Sequence, residues 1–266
     1  MRLIWLLLLS LSLFANERIV TLSPAIAEIV AAIDGTQNIV GVSDYTLFPE
    51  ALQSRPKVGG YFSLSLEKVL AQKPTLVIGL PYQDPFLQKL RTFDIRTLSV
   101  GLGRLDEIKT TITAVAAALH REEKAAELIA VIEKHEHEAP RLAVPKKVLI
   151  VFAASSVLRK GVYVAGHDLY FEKILQLCNA ENAYSEAYSS QPVLAIEGII
   201  AADPDTVLLL FGPLDDVDTD DVLKQWQALP IKAAENGSIK VIQNDYILIP
   251  SQRVGETIST ICREIQ

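Results

Sequence analysis

Beyond an opening apolar run, short runs of β-type apolar residues alternate with stretches whose apolar positions recur every three or four residues. Arg18 to Leu22, Ile39 to Val42, Leu76 to Gly79 and Arg96 to Val100 predict strands; Pro24 to Ala32, Leu66 to Gln72 and Pro85 to Phe93 predict the helices between them. The second half repeats the alternation, with strands at Lys147 to Phe152, Thr206 to Leu210 and Ile239 to Ile242 and helices from Leu169, from Ile196, near Val222 and from Gln252. Parallel strands need a crossover, and a helix supplies it, so this order predicts an α/β fold with parallel-type sheets.

Between the halves, Leu105 to about Arg141 is alanine-rich and free of Gly and Pro until Pro140. It predicts a long helix, continuous or once broken, too long for a crossover within one small sheet and suited to a strut. The halves also share a repeat. Leu66 to Ile78 and Ile196 to Leu208 each read as a helix, a proline-marked turn and a buried strand, with Glu67 and Glu197, and Pro74 and Pro204, at a common offset of 130 residues. Two copies of one unit predict two lobes of similar build with a ligand cleft between them. The expected boundaries are a leader at 1–15, an N-terminal lobe at 16–104, a linking helical region at 105–141 and a C-terminal lobe at 142–266.

Met1-Arg2, the apolar run Leu3 to Phe14 and the small residue Ala15 have the layout of a secretory signal peptide, and the run is shorter than the ~20 residues of a membrane span. With no cysteine near the cleavage site, a lipid anchor is not expected; the mature chain is expected in the periplasm. Half of the residues are hydrophobic and 21% charged, as in a well-cored globular protein. A net charge of −7 disfavours nucleic acid as a partner. The only two cysteines, Cys178 and Cys262, fall in or beside predicted helices of the second half; in an oxidising compartment a bridge is favoured, with two separately buried thiols as the alternative.

Motifs for other chemistry are weak. Gly101-Leu102-Gly103 follows a predicted strand, but Asp106 stands where a dinucleotide fingerprint has its third glycine, so a turn at a cleft edge is expected. His135 and His137 lie two apart on a predicted helix and point to different faces, which suits a solvated surface better than a metal site. His167 stands beside Asp168, expected to cap the next helix, with a ligand-facing imidazole as the alternative. No G-x-S-x-G, H-E-x-x-H or P-loop pattern occurs. Tyr45, Tyr61-Phe62, Tyr82, Tyr163 and Tyr246 fall at predicted strand ends, where they equip the chain to hold a large planar or partly apolar ligand.

Arg18-Ile19-Val20-Thr21-Leu22-Ser23-Pro24 with Glu28, Gly41-Val42-Ser43-Asp44-Tyr45, Val58-Gly59-Gly60 with the Leu66 block, and the Glu197 block resemble the helical-backbone binding proteins of ABC importers for cobalamin, ferric siderophores and haem. The resemblance implies two α/β lobes joined by one long backbone helix, a shallow cleft and little hinge motion. It implies a monomer without a cofactor of its own, whose Glu67 and Glu197 meet arginines on a two-fold permease. The chain is most similar to the cobalamin branch: Cys178 and Cys262 match its disulfide, Tyr45 a tyrosine of the corrinoid pocket, Tyr61 an aromatic position and Asp245 a cleft acid. Tyr82, Arg159, His167, Tyr246 and Arg253 are further candidate ligand contacts. Leu80 and Gln191 stand where that branch has tryptophan, which leaves siderophore and haem open. A secreted hydrolase or redox enzyme would need a nucleophile with its base or a metal with several ligands; a zinc or manganese carrier would need converging His and carboxylate ligands, and the four histidines are scattered.

Overall fold

Residues 17–152, 158–184 and 190–266 are described by the structure, a computed structural model, so the leader expected at 1–15 lies outside the described residues. The chain divides into two units: the first holds the segment up to Ala27 and Asp34–Ser99, the second Glu28–Ile33 and Val100–Gln266.

The first unit is built on β1 (Ile19–Thr21), α1 (Pro24–Val30), β2 (Ile39–Val42), α2 (Leu66–Ala71), β3 (Leu76–Gly79), α3 (Asp84–Arg91) and β4 (Arg96–Ser99), with the end of α1 passing into the second unit. Its sheet runs β2-β1-β3-β4 and every pairing is parallel. The inner strands β1 and β3 are wholly buried, as strands covered on both faces must be, whereas the edge strand β4 is half exposed. Val20, Leu22, Val58, Val69, Val77, Leu87 and Leu90 form one core beneath α2 and α3. Parallel strands put all their carboxyl ends on one side, so the loops after β2 and β3 share one end of the sheet.

In the second unit, the helical region expected at 105–141 consists of α4 (Leu105–Leu119) and α5 (Glu122–Glu138). The helix is broken once, at His120, whose φ of 55° is left-handed and whose N–H closes α4 on Ala116 and Ala117. Lys109, early in α4, bonds Glu136, late in α5, at 3.0 Å, so the two helices run antiparallel side by side. No Gly or Pro marks the break.

The rest comprises β5 (Lys147–Phe152), β6 (Val162–Val164), α6 (Tyr170–Leu177), β7 (Glu181–Asn182), β8 (Val193–Leu194), α7 (Ile196–Ala202), β9 (Thr206–Phe211), α8 (Thr219–Gln227), α9 (Lys232–Glu235), β10 (Ile239–Gln243) and α10 (Val254–Glu264). Its sheet runs β10-β9-β5-β6-β8, with β7 on β5. β10, β9, β5 and β7 are parallel, and β6 and β8 add antiparallel pairings. The latter strands are too short to show a period in the sequence. Leu149, Val151, Val207, Leu209, Phe211 and Trp226 lie in the core of this unit. Cys178, at the end of α6, is bonded to Cys262 in α10, with Cα atoms 5.2 Å apart.

The repeat survives in detail. Glu67 and Glu197 are the second residues of α2 and α7. Each helix is followed by a left-handed residue at the same offset, Lys73 (φ 47°) and Asp203 (φ 41°). The Arg18 N–H donates to Thr75 Oγ1 at 2.9 Å, and in the second copy the Lys147 N–H donates to Asp205 Oδ2 at 2.8 Å.

Candidate functional site

The carboxyl end of the first sheet carries a platform of aromatic rings. Tyr45 follows β2, Tyr61 and Phe62 precede α2, and Tyr82 follows β3. Tyr45 and Tyr61 stack with centroids 6.0 Å apart and planes 15° from parallel; Phe62 and Tyr82 meet at 5.9 Å in a tilted pair. Tyr45 is 54% exposed, Tyr82 52% and Phe62 96%, so these rings face outward and not into a core.

Backbone chemistry fixes the two loops to one another. The Asp44 N–H donates to the Gly59 carbonyl at 3.0 Å, and the Gly59 N–H donates back to Asp44 Oδ1 at 3.2 Å. Gly59 has φ 120°, and a Cβ there would lie 2.3 Å from the Ser63 carbonyl oxygen, so only glycine lets this loop bring Tyr61 beside Tyr45. Burial, with the nearby phenols of Tyr82 and Tyr45, pushes the Tyr61 hydroxyl up to about 12. Tyr61 is therefore uncharged at neutral pH, and the platform combines flat apolar faces with phenol hydroxyls.

In the second unit the loop after β10 carries Asp245 and Tyr246. Asp245 accepts from Arg253 Nη1 at 2.9 Å. Arg253 is buried and grips Glu28 through Nε at 2.9 Å and Nη2 at 2.7 Å, while the Ser251 hydroxyl donates to the same carboxylate at 2.6 Å. Burial pushes the Glu28 carboxyl up, opposed by Arg253 and Ser251; both of its oxygens accept from the guanidinium fork, the geometry of an ionised pair. The Arg253 guanidinium also lies 5.8 Å from the Tyr246 ring centre, and the Tyr246 hydroxyl bonds Thr260 Oγ1 at 2.9 Å.

The other candidates are dispersed. Arg159 is exposed on a single 3-10 turn. His167 Nδ1 lies 3.3 Å from Glu172 Oε2. Asp168, expected to cap α6, does not: its φ is 33°, and the extended cap residue is Leu169. Gly101 and Gly103 make room for Glu107, whose Oε2 accepts from the Gly103 and Arg104 N–H groups and caps α4. A concavity of about 330 Å³ lined by Arg104, Lys109, Glu136, Glu172 and Lys173 contains none of the aromatic residues; Arg104 pairs with Asp106, and Lys109 with Glu136. His135 Nδ1 meets Ser259 Oγ at 2.7 Å, and no cluster of three or more metal-ligating side chains occurs among the described residues. Glu67 and Glu197 are exposed and make no side-chain ion pair or hydrogen bond among the described residues.

Glu28 and Ser251 are the residues that sequence reasoning did not place in a site. A signal for Glu28 existed: it is the only charge in the apolar stretch Pro24 to Ala32, and a buried acid demands a partner. Tyr163, one of the strand-end aromatics, stands opposite Val193 across β6 and β8, each about half exposed.

Two α/β units that display loops at the carboxyl ends of largely parallel sheets define a two-lobed solute-binding protein. The chain belongs to the periplasmic binding protein family, whose profile matches residues 19–246. It is 27% identical over 266 residues to the vitamin B12-binding protein of Vibrio campbellii, covering 95% of this chain and 92% of that one. Among solved structures it is similar to the periplasmic haem-binding protein RhuT of Roseiflexus sp. RS-1, with a TM-score of 0.81 and 26% identity over 94% of this chain and 97% of that one. It shares its fold with the vitamin B12-binding protein BtuF of Vibrio cholerae, at a TM-score of 0.75 and 20% identity over 94% and 96% of the two chains. No helix among the described residues is long and apolar enough to cross a membrane.

Proposed function

We propose that the chain is a periplasmic carrier that captures a metal-chelate nutrient, a corrinoid before a haem or ferric siderophore, and hands it to a two-fold ABC permease. The outward-facing aromatic platform carries this reading. Exposed aromatic surface in a soluble protein marks a binding face, and stacked phenols offer a planar chelate both a flat contact and hydroxyl donors. The resemblance to a vitamin B12-binding protein supports the corrinoid.

Haem is the second reading, supported by the similarity to RhuT. Tyr45, Tyr61, Tyr82 and Asp245 are the proposed ligand contacts, and the exposed Glu67 and Glu197 the proposed docking acids. Catalysis has little support: among the described residues the contacts between a hydroxyl and a base are Ser251 with Glu28, both buried and held by Arg253, and Ser259 with His135, on the packed helices α10 and α5. Titration of the purified protein with cobalamin, haemin and a ferric siderophore, followed by ligand absorbance and Trp226 fluorescence, decides among these. Saturable one-to-one binding of cobalamin, tighter than that of haemin, is the expected result; binding of none of the three would refute the reading.

A further inference from the structure

Two acids share one guanidinium in the second unit. The buried carboxylate of Glu28 takes Nε and Nη2 of Arg253, and Asp245 takes Nη1 through its side chain and Nη2, at 3.1 Å, through its backbone carbonyl. Arg253 is 9% exposed, Glu28 2%, and the Asp245 side chain 46%. One cation between two anions leaves a negative charge. The deeper acid holds the arginine fork, so that charge is displayed at the exposed Asp245 carboxylate, in the loop beyond the carboxyl end of β10.

We infer that this network makes Asp245 a charge filter on the ligand: it accepts hydrogen bonds from carboxamide N–H groups and repels free carboxylates, so that amide-decorated chelates are selected over carboxylate-decorated ones. The inference rests on the proposed contact between Asp245 and the chelate. Glu28 is then a positioning residue. It does not meet the ligand; it engages the cation that would otherwise neutralise Asp245 or pair with an anionic ligand. Repulsion of a like charge is an effective discriminator because the disfavoured ligand loses hydrogen bonds and gains an unpaired charge together.

The test uses two corrinoids that share a ring, dicyanocobinamide with amide side arms and cobyrinic acid with carboxylic acids, titrated against the full protein at pH 7.5. The wild type should prefer the amide ligand by at least about ten-fold, the size expected of one unfavourable charge contact. Asp245→Asn should narrow that preference several-fold, chiefly by tightening cobyrinic acid. Glu28→Gln should narrow it too, although its side chain touches no ligand, an effect that mere support of the loop would not produce. Should Glu28→Gln fail to fold, Asp245→Asn decides alone. Equal affinity of the wild type for both corrinoids, or an unchanged ratio in Asp245→Asn, overturns the inference while leaving the carrier intact. Binding of neither corrinoid overturns the proposed corrinoid function and the inference with it.

Discussion

Arg253, just before α10, closes a two-pronged ion pair on Glu28, 225 residues earlier in the chain, with its shortest contact at 2.7 Å. Both side chains are buried, so removing one strands the other without solvent. Arg253→Met should therefore destabilise the protein by about 3 to 5 kcal/mol, the range for breaking a buried pair. The double change Glu28→Leu with Arg253→Met should recover much of that loss, because well-packed apolar residues often replace a buried pair at little cost. Urea unfolding of the single and double variants checks both; additive losses would show that the two residues do not act as a pair.

The Cys178–Cys262 bridge joins α6 to α10 across a sequence separation of 84. Closing so long a loop restricts the unfolded chain by about 4 to 5 kcal/mol in the chain-entropy treatment. Replacing both cysteines by serine, or reducing the bridge, should lower the unfolding midpoint strongly while the carrier still binds ligand at low temperature. A double variant as stable as the wild type under oxidising conditions would contradict this.

Tyr61 ionises late. Its folded value of about 12 stands above the ordinary 10.0, because the buried phenol resists charge. The neutral form is common to both states below pH 10, so the contribution of Tyr61 to stability is complete there. Above it the unfolded chain releases the proton first, and stability falls as the pH rises toward 12. Between pH 9 and 11 the wild type should lose roughly 1 kcal/mol more than Tyr61→Phe, at about 1.4 kcal/mol per unit of pKa difference. Identical pH profiles for the two proteins would show Tyr61 to be freely solvated.

The proposed docking acids Glu67 and Glu197 should be separable from ligand binding. Changing Glu67 or Glu197 to Gln keeps the helix-start shape and should alter folding by less than about 1 kcal/mol. Chelate affinity should not change, whereas ligand-stimulated ATP hydrolysis by the reconstituted importer should fall. Normal turnover in the double variant would remove both residues from docking.

Much of this fold is legible in the sequence because its strands are buried on both faces and bounded by helices. Ile39–Val42, Leu76–Gly79 and Lys147–Phe152 have the bounds that their apolar runs predict. The repeat is legible because Glu, Pro and the apolar positions keep one spacing in both copies. The break at His120 is not, since a left-handed histidine leaves no compositional mark. β6 and β8 are equally silent, being two or three residues long and held by partners distant in sequence. At the site, the aromatic residues could be recognised singly, but not the stacking of Tyr45 on Tyr61, which depends on Gly59 and Asp44 clamping two loops. Arg253, expected among the ligand contacts, pairs with Glu28 and Asp245; a cation's partner across more than two hundred residues cannot be read from spacing.

The aromatic platform as the seat of the chelate is tested most directly by isothermal titration of cobalamin into the wild type, Tyr45→Ala, Tyr61→Ala and the double variant. Each single change should weaken binding by about 1 to 3 kcal/mol, and the stacked pair should be non-additive, since removing one ring exposes the other. Thermal unfolding should remain close to wild type for Tyr45→Ala, whose ring is more than half exposed. A double variant that is folded and binds cobalamin with unchanged affinity would contradict the assignment and move the ligand away from this end of the first sheet.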